Sequence, residues 1–361
     1  MRILYGVQAT GNGHITRART MAPELRRAGV EVDWLFTGRD PARLFGMECF
    51  PGFRTLPGVT LKTDHGHLRY GKTLLRNPLA RLWRDIRQLD LRGYDLVITD
   101  FEPVSAWAAR RQGVPAVGVG HQYAFRYPVP MAGDNLGNRL VLQYFTPVVQ
   151  ALGVHWHHYD SPVLPPLIEP PPDEPTPGDP QRILVYMPFE DTSEVLAWLQ
   201  RVEGYRFEVF CADARGYSSA NCTLHSYDRE AFREALYRCG GVIGNAGFGL
   251  ASESIQAGRK LLVKPLGGQM EQVSNAYALE QLGYGTAISQ FDNRTLLRWL
   301  HKPSRPPVRY PNVAAGIVEW LVDGRRTAPL GLALDLWGDV HASVSKTQRS
   351  AVASPISKAV L

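Results

Sequence analysis

Short apolar runs alternate along the chain with longer stretches whose apolar side chains recur at three- and four-residue spacing, and this alternation occurs twice. In the first half, Arg2 to Val7, Val30 to Phe36, Tyr94 to Thr99 and Pro115 to Gly120 read as strands, and a helix opens near His14. The second half repeats the scheme with Arg182 to Met187, Arg206 to Cys211, Gly241 to Gly244 and Lys260 to Lys264, separated by helical patterns such as Asp228 to Arg238 and Gln269 to Leu282. Strands alternating with helices predict parallel sheets and an α/β fold. Between the halves, His155 to Arg182 is so rich in proline that it can neither donate a regular ladder nor continue a helix. The expected organisation is a first domain over residues 1–155, a linker over 156–181, a second domain over 182–325, and a tail over 326–361 that is loosely ordered in part.

Composition narrows the class. Of 361 residues, 44% are hydrophobic and 20% charged, which excludes a disordered chain, and the length allows each domain its own core. Cys49, Cys211, Cys222 and Cys239 lie far apart and form no CxxC pair, so they read as thiols in a reducing compartment. No run approaches 18 apolar residues, and Met1 to Val7 leads directly into a strand, so the expectation is a cytoplasmic protein without a membrane span.

Charge is unevenly shared. Residues 1–155 carry +8 and residues 156–361 carry −2, so the first half is suited to something anionic. From Lys62 to Arg92, eight Lys and Arg are interleaved with Leu74, Leu75, Leu79, Leu82, Trp83, Ile86 and Leu89. This pattern predicts a basic amphipathic helix suited to an anionic membrane surface, the competing reading being a stripe packed on its own domain. No recognised nucleic-acid module accompanies the charge, and nucleic acid is not expected as a partner.

Three segments carry candidate chemistry. The first, Ala9-Thr10-Gly11-Asn12-Gly13-His14, is a glycine turn feeding a helix, where Gly11 and Gly13 admit a ligand to backbone N–H groups. A dinucleotide fingerprint would need a third glycine where Thr16 stands, so a nicotinamide cofactor is disfavoured. His14 is suited to accept a proton from an attacking hydroxyl. The second segment ends a strand at Asp100, which could orient His14 or cap the next helix, with Glu102 beside it. His121 and Gln122 follow the next strand on the same edge, and together with Glu102 they are expected on the acceptor side. The third runs from Val242 through Asn245, Gly247, Phe248 and Gly249 to Glu253, a glycine loop at a helix N-terminus suited to a diphosphate, with a carboxylate one turn in to reach a ribose. Farther on, Glu271, Gln272 and Asn275 offer the mixed donors and acceptors that sugar hydroxyls need. His155-Trp156-His157-His158 lacks a carboxylate or cysteine partner and reads as structural, so no metal is expected.

In this order the pieces resemble the GT-B glycosyltransferases, in particular the donor signature of the UDP-glycosyltransferase family: His-Gly-Gly-x-x-Ser-x-x-Glu-x-x-x-Gly-x-Pro, then a strand, a Pro, an acidic residue followed by Gln, and an Asn three residues later. Here Asn245-Ala246-Gly247 stands at His-Gly-Gly, Glu253 at the ribose carboxylate, Gly258 at the next glycine, and Pro265, Glu271, Gln272 and Asn275 at the remainder. The N-terminal Gly-x-Gly-His resembles the lipid-linked branch, which includes the peptidoglycan N-acetylglucosaminyl transferase. The resemblance implies two Rossmann-like domains facing a central cleft and transfer of a sugar, UDP-sugar favoured, to a hydroxyl acceptor, a lipid or lipid-linked one at the cytoplasmic membrane face being suggested. It also implies His14 as base and no essential metal. An epimerase or hydrolase on the same fold, or a catalytically silent nucleotide-sugar binder, is the alternative. The departures are Asn245 for the histidine, Leu250 for the serine, and two extra residues within Gly267 to Met270. The acidic turn Glu190-Asp191 is expected to stand back from the phosphates, since like charges repel.

Overall fold

The computed structural model describes residues 1–44, 46–59, 63–64, 67–68, 79–133, 136–172, 177–214, 219–323 and 328–343. The first domain runs β1 (Arg2–Gln8), α1 (Asn12–Arg27), β2 (Glu31–Thr37), β3 (Arg54–Leu56), the short pair β4 (Thr63–Asp64) and β5 (His67–Leu68), α2 (Leu79–Gln88), β6 (Leu96–Asp100), α3 (Pro103–Gln112), β7 (Ala116–Gly120), α4 (Leu136–Tyr144) and β8 (Gln150–Gly153). The second runs β9 (Asp179–Tyr186), α5 (Thr192–Leu199), β10 (Arg206–Phe210), β11 (Cys222–His225), α6 (Arg229–Arg238), β12 (Cys239–Gly244), α7 (Phe248–Gln256), β13 (Lys260–Val263), α8 (Met270–Gln281), β14 (Gly285–Ala287) and α9 (Asn293–Leu300). Two further helices follow, α10 (Val313–Val322) and α11 (Pro329–Ser343).

Each domain holds a six-stranded parallel sheet, and the strand order is the same in both: β3-β2-β1-β6-β7-β8 and β11-β10-β9-β12-β13-β14. The central strands are buried on both faces, as β6 (LVITD) and β13 (KLLV) illustrate, and this accounts for their continuous apolar runs. In each sheet the chain order reverses once, between β1 and β6 and between β9 and β12. At such a switch point the helices leave in opposite directions and open a crevice at the carboxyl ends of the strands.

The first part of the connection between the sheets, residues 154–168, is packed rather than loose. Val154 bridges Leu164, and Trp156, Val163, Leu164 and Leu167 are buried. The C-terminal helices return to the first domain: Asn312 Nδ2 donates to Glu24 at 2.9 Å, and Trp337 Nε1, in α11, donates to the Val163 carbonyl at 2.7 Å. Residues 344–361, half of the tail expected to be loosely ordered in part, lie outside the described residues, as do residues 69–78 of the basic segment. Within α2, Ile86 packs inward with Leu82 beside it, whereas Leu79 and Trp83 face outward. Among the described residues no helix is long and apolar enough to cross a membrane.

Candidate active site

The first switch point assembles a buried charge cluster. Register places Val7 of β1 beside Asp100 at the end of β6, so the helix after β1 starts directly above Asp100. His14 Nδ1 lies 2.8 Å from Asp100 Oδ1. Arg17, one turn farther along α1, grips the same carboxylate at both oxygens, with Nε donating to Oδ2 at 2.9 Å and Nη2 to Oδ1 at 2.6 Å. His14 Nδ1 and Arg17 Nη2 are 2.8 Å apart, two donors converging on one oxygen. Asp100 is fully buried; burial opposes its charge, yet Arg17 and then His14 more than offset that and hold its carboxyl below the ordinary value. With Nδ1 tied to Asp100, only Nε2 of His14 is free to take a proton. Gly120 makes room for this: at φ +154° it lies in a region that disfavours a side chain, and a Cβ there would sit 2.9 Å from Asp100 Oδ1.

Glu102, not Asp100, caps the following helix. Its carboxylate accepts from the N–H groups of Val104 and Ser105 at 2.8 and 2.7 Å and from Thr37 Oγ1 at 3.0 Å. It is fully buried, so the acceptor-side role expected for it is corrected to a structural one; burial raises its pKa against these hydrogen bonds.

Facing α1 across the cleft is the loop Asn245 to Gly247 and the start of α7. Caps separate the helices by purpose. α3, α5, α6, α9 and α10 are capped by the side chains of Glu102, Asp191, Asp228, Asp292 and Asn312. By contrast, α1, α7 and α8 start at Gly11, Gly247 and Gln269 without a side-chain cap, which leaves first-turn N–H groups for a ligand. Between the first two, α1 and α7, lies a cavity of about 190 Å³. Asn12, Gly13 and Thr16 of α1 line it on one side, and Gly249 and Glu253 of α7 on the other. Phe210 and Tyr227 give it an aromatic wall, and Tyr227 is 36% exposed. Glu253 is pushed up to about 7, by burial first and then by Glu169, against the pull of Arg233 and Arg229.

The sequence matches the family model of glycosyl transferase family 1 over residues 1–302. The chain belongs to that glycosyltransferase family. No curated protein matches it by sequence. Among solved structures, the glycosyltransferase SnogD from Streptomyces nogalater is similar with a TM-score of 0.54 at 17% identity, over 94% of this chain and 99% of that one. UGT89C1 from Arabidopsis thaliana, complexed with UDP, is similar with a TM-score of 0.57 at 15% identity, over 92% and 97%. The spinosyn forosaminyltransferase SpnP gives 0.56 at 18%, over 94% and 99%. The two parallel sheets around a cleft are the GT-B fold, and the enzyme is a glycosyltransferase.

Within this glycosyltransferase, several sequence-expected residues turn out to frame the site. Gln272, buried, accepts from the Leu266 N–H at 2.8 Å and so shapes the loop ahead of α8. Asn275, fully buried, donates to the Ala246 carbonyl at 2.9 Å and faces His121 Nε2 at 2.6 Å. The Phe248 ring turns away from the cavity and stacks on His121 with centroids 3.9 Å apart, so only its backbone is offered to a donor. His121 is accordingly an interdomain contact and not an acceptor wall, because its second nitrogen meets the Val154 carbonyl at 2.9 Å and burial lowers its pKa. Gln122 does reach across the cleft: its Nε2 donates to Glu271 at 2.9 Å, and its Oε1 has no partner among the described residues.

The histidine tract after β8 is held locally. The Nδ1 atoms of His155, His157 and His158 accept from the N–H groups of Trp156, Tyr159 and Asp160. Among the described residues no group of three His, Cys, Asp or Glu could hold a metal ion. The acidic turn does not stand back: Glu190 contacts Asn245 at 3.1 Å, because Lys264 at 2.9 Å supplies a counter-charge that local sequence does not reveal. Sequence reasoning also missed Arg17 and the aromatic wall. A helical reading held the signal for Arg17, since three residues after His14 is the same helix face. Phe210 ends β10 and Tyr227 lies in the loop after β11, and only the sheet order makes these neighbours.

Proposed function

We propose that the enzyme transfers a sugar from a nucleotide diphosphate sugar, with UDP-sugar favoured, to a hydroxyl of an acceptor bound by the first domain. The observation that carries this reading is the pairing of His14 with Asp100 at one switch point, opposite the uncapped start of α7 and Glu253. Nε2 of His14 removes the hydroxyl proton as the oxygen attacks the anomeric carbon. The bond to the diphosphate breaks, and its charge is taken up by N–H groups of the Asn245 to Gly249 loop and the α7 dipole. Glu253 accepts from the ribose hydroxyls, Phe210 and Tyr227 flank the base, and Gly11 and Gly13 keep the α1 turn open to the donor. Glu271 holds the sugar with Gln122, while Gln272 and Asn275 fix the loops around it. Donor activation needs no metal in this mechanism. UGT89C1 in complex with UDP supports the choice of base.

A lipid or lipid-linked acceptor fits the first domain. A groove of about 410 Å³ lies between Leu82, Trp107, Leu140, Val141, Tyr144 and Phe145. Leu79, Trp83 and Val141 are 65%, 48% and 50% exposed beside it, and Arg81, Arg84 and Arg87 share α2. Apolar side chains set among arginines suit an anionic bilayer surface, which would place the enzyme peripherally on the cytoplasmic face.

A thermal-shift panel of UDP, GDP, dTDP, ADP, CMP and NAD tests the donor site. The expected result is a rise in Tm with UDP that Glu253→Ala removes; no rise with any diphosphate would overturn the donor reading. Flotation with liposomes tests the surface. Salt-sensitive binding to anionic vesicles is expected, and equal recovery with and without anionic lipid would rule it out.

A further inference from the structure

The second switch point holds an ion pair that the proposed transfer mechanism does not use. The loops after β9, β12 and β13 end side by side, and each sends one polar side chain into a single cluster. Glu190 Oε2 accepts from Lys264 Nζ at 2.9 Å, and Oε1 accepts from Asn245 Nδ2 at 3.1 Å. The Glu190 and Lys264 side chains are 5% and 15% exposed. Asn245 Nδ2 also donates to the Lys264 carbonyl at 3.0 Å, whereas Asn245 Oδ1 is buried and has no partner among the described residues. Lys264 Nζ also lies 5.3 Å over the Phe291 ring.

A carboxylate is an anion, and this one is held by Asn245, two residues ahead of the Gly247 start of α7, at the strand-end crevice where an anion is favoured. Lysine suits phosphate as a mobile point charge, and its flexible stem allows it to change partners. Two anions competing for one partly buried ammonium cannot both be satisfied at low cost. Resting on the donor reading above, we infer that Lys264 is a phosphate-binding residue of the donor site, and that Glu190 competes with the incoming diphosphate for it. The carboxylate is a tethered competitor that lowers affinity for the donor and for the released nucleoside diphosphate alike. The unpartnered Asn245 Oδ1 marks the same place as unfinished, ready to accept from a sugar hydroxyl once Glu190 has moved.

Calorimetric titration of wild type, Glu190→Gln, Lys264→Met and the double variant with UDP, inorganic pyrophosphate and uridine tests this. Glu190→Gln should bind UDP and pyrophosphate about tenfold more tightly, with uridine unchanged, because only the anion's competitor is lost. Lys264→Met should weaken both anions about tenfold, and in its background Glu190→Gln should give no gain. Unchanged or weaker anion binding by Glu190→Gln, in a protein that unfolds at the wild-type temperature, would overturn the inference and leave a structural ion pair. If pyrophosphate responds as expected but UDP binds none of the proteins, the inference stands and the choice of nucleotide falls. If neither anion binds any of the proteins, both fall.

Discussion

The two switch points have the same strand order, and each buries a carboxylate against a cation, but they hold it differently. In the first, the Asp100 carboxylate is fully buried and held through both oxygens by Arg17, whose planar fork leaves little freedom, and His14 is locked onto the same group. In the second, the Glu190 carboxylate is held by a lysine and an amide, and the acceptor Asn245 Oδ1 beside it has no partner among the described residues. A base must be oriented before the substrate arrives, since its placement is part of the rate enhancement. A donor site must take up and release a charged group at every turnover. The same topology therefore carries a rigid cluster on one side of the cleft and an exchangeable one on the other.

The largest effect should come from His14→Ala, which should lower kcat by roughly 10²- to 10⁴-fold while leaving the UDP-induced thermal shift intact. Equal loss of binding would mean that the two sites are not separate in function. Next, Asp100→Asn should destabilise the fold by about 3–5 kcal/mol in urea unfolding, because Arg17 is left buried without its anion. Glu190→Gln should cost about 1 kcal/mol or less by the same measurement, since the Lys264 ammonium can reach water along its stem. Similar costs for the two substitutions would break the comparison.

Gly120→Ala should lower stability by about 1–3 kcal/mol and reduce kcat, as the added Cβ strains the backbone and pushes on Asp100. Far-UV spectra should remain native. A pH-dependent effect is set by Glu253. Glu253→Gln should weaken UDP binding about tenfold, and the gap from wild type should widen as pH rises through about 7 and the carboxylate ionises. Its carboxyl is raised in the folded protein from 4.5 to about 7. That contribution to stability is fully present below pH 4.5 and is lost as pH rises through 7, so the variant should be the more stable protein at pH 8. Thermal unfolding of both proteins across this range measures the crossover.

Much of the fold was legible because its signals are local. Apolar runs buried on both faces marked the central strands, and glycines after β1 and β12 marked the open helix starts. His14 and Asp100 could be paired in advance, since the carboxyl ends of neighbouring parallel strands share one edge. Burial was less legible. Asn275 and Gln272 occupy the first half of α8 like Glu271, yet Glu271 meets Gln122 across the cleft, Asn275 ties His121 to the Ala246 carbonyl, and Gln272 turns back to its own loop at Leu266.

By itself, the sequence determined the repeated α/β plan, the glycine turns and the chemical types of residue available at each strand end. Periodicity and backbone freedom are properties of neighbouring residues. Tertiary structure decided who partners whom. Arg17 meets Asp100 across 83 positions, Lys264 meets Glu190 across 74, and Glu102 takes the cap that frees Asp100 for His14. Charges of one sign are interchangeable along a chain, and sheet register and burial alone select which of them come within hydrogen-bonding distance.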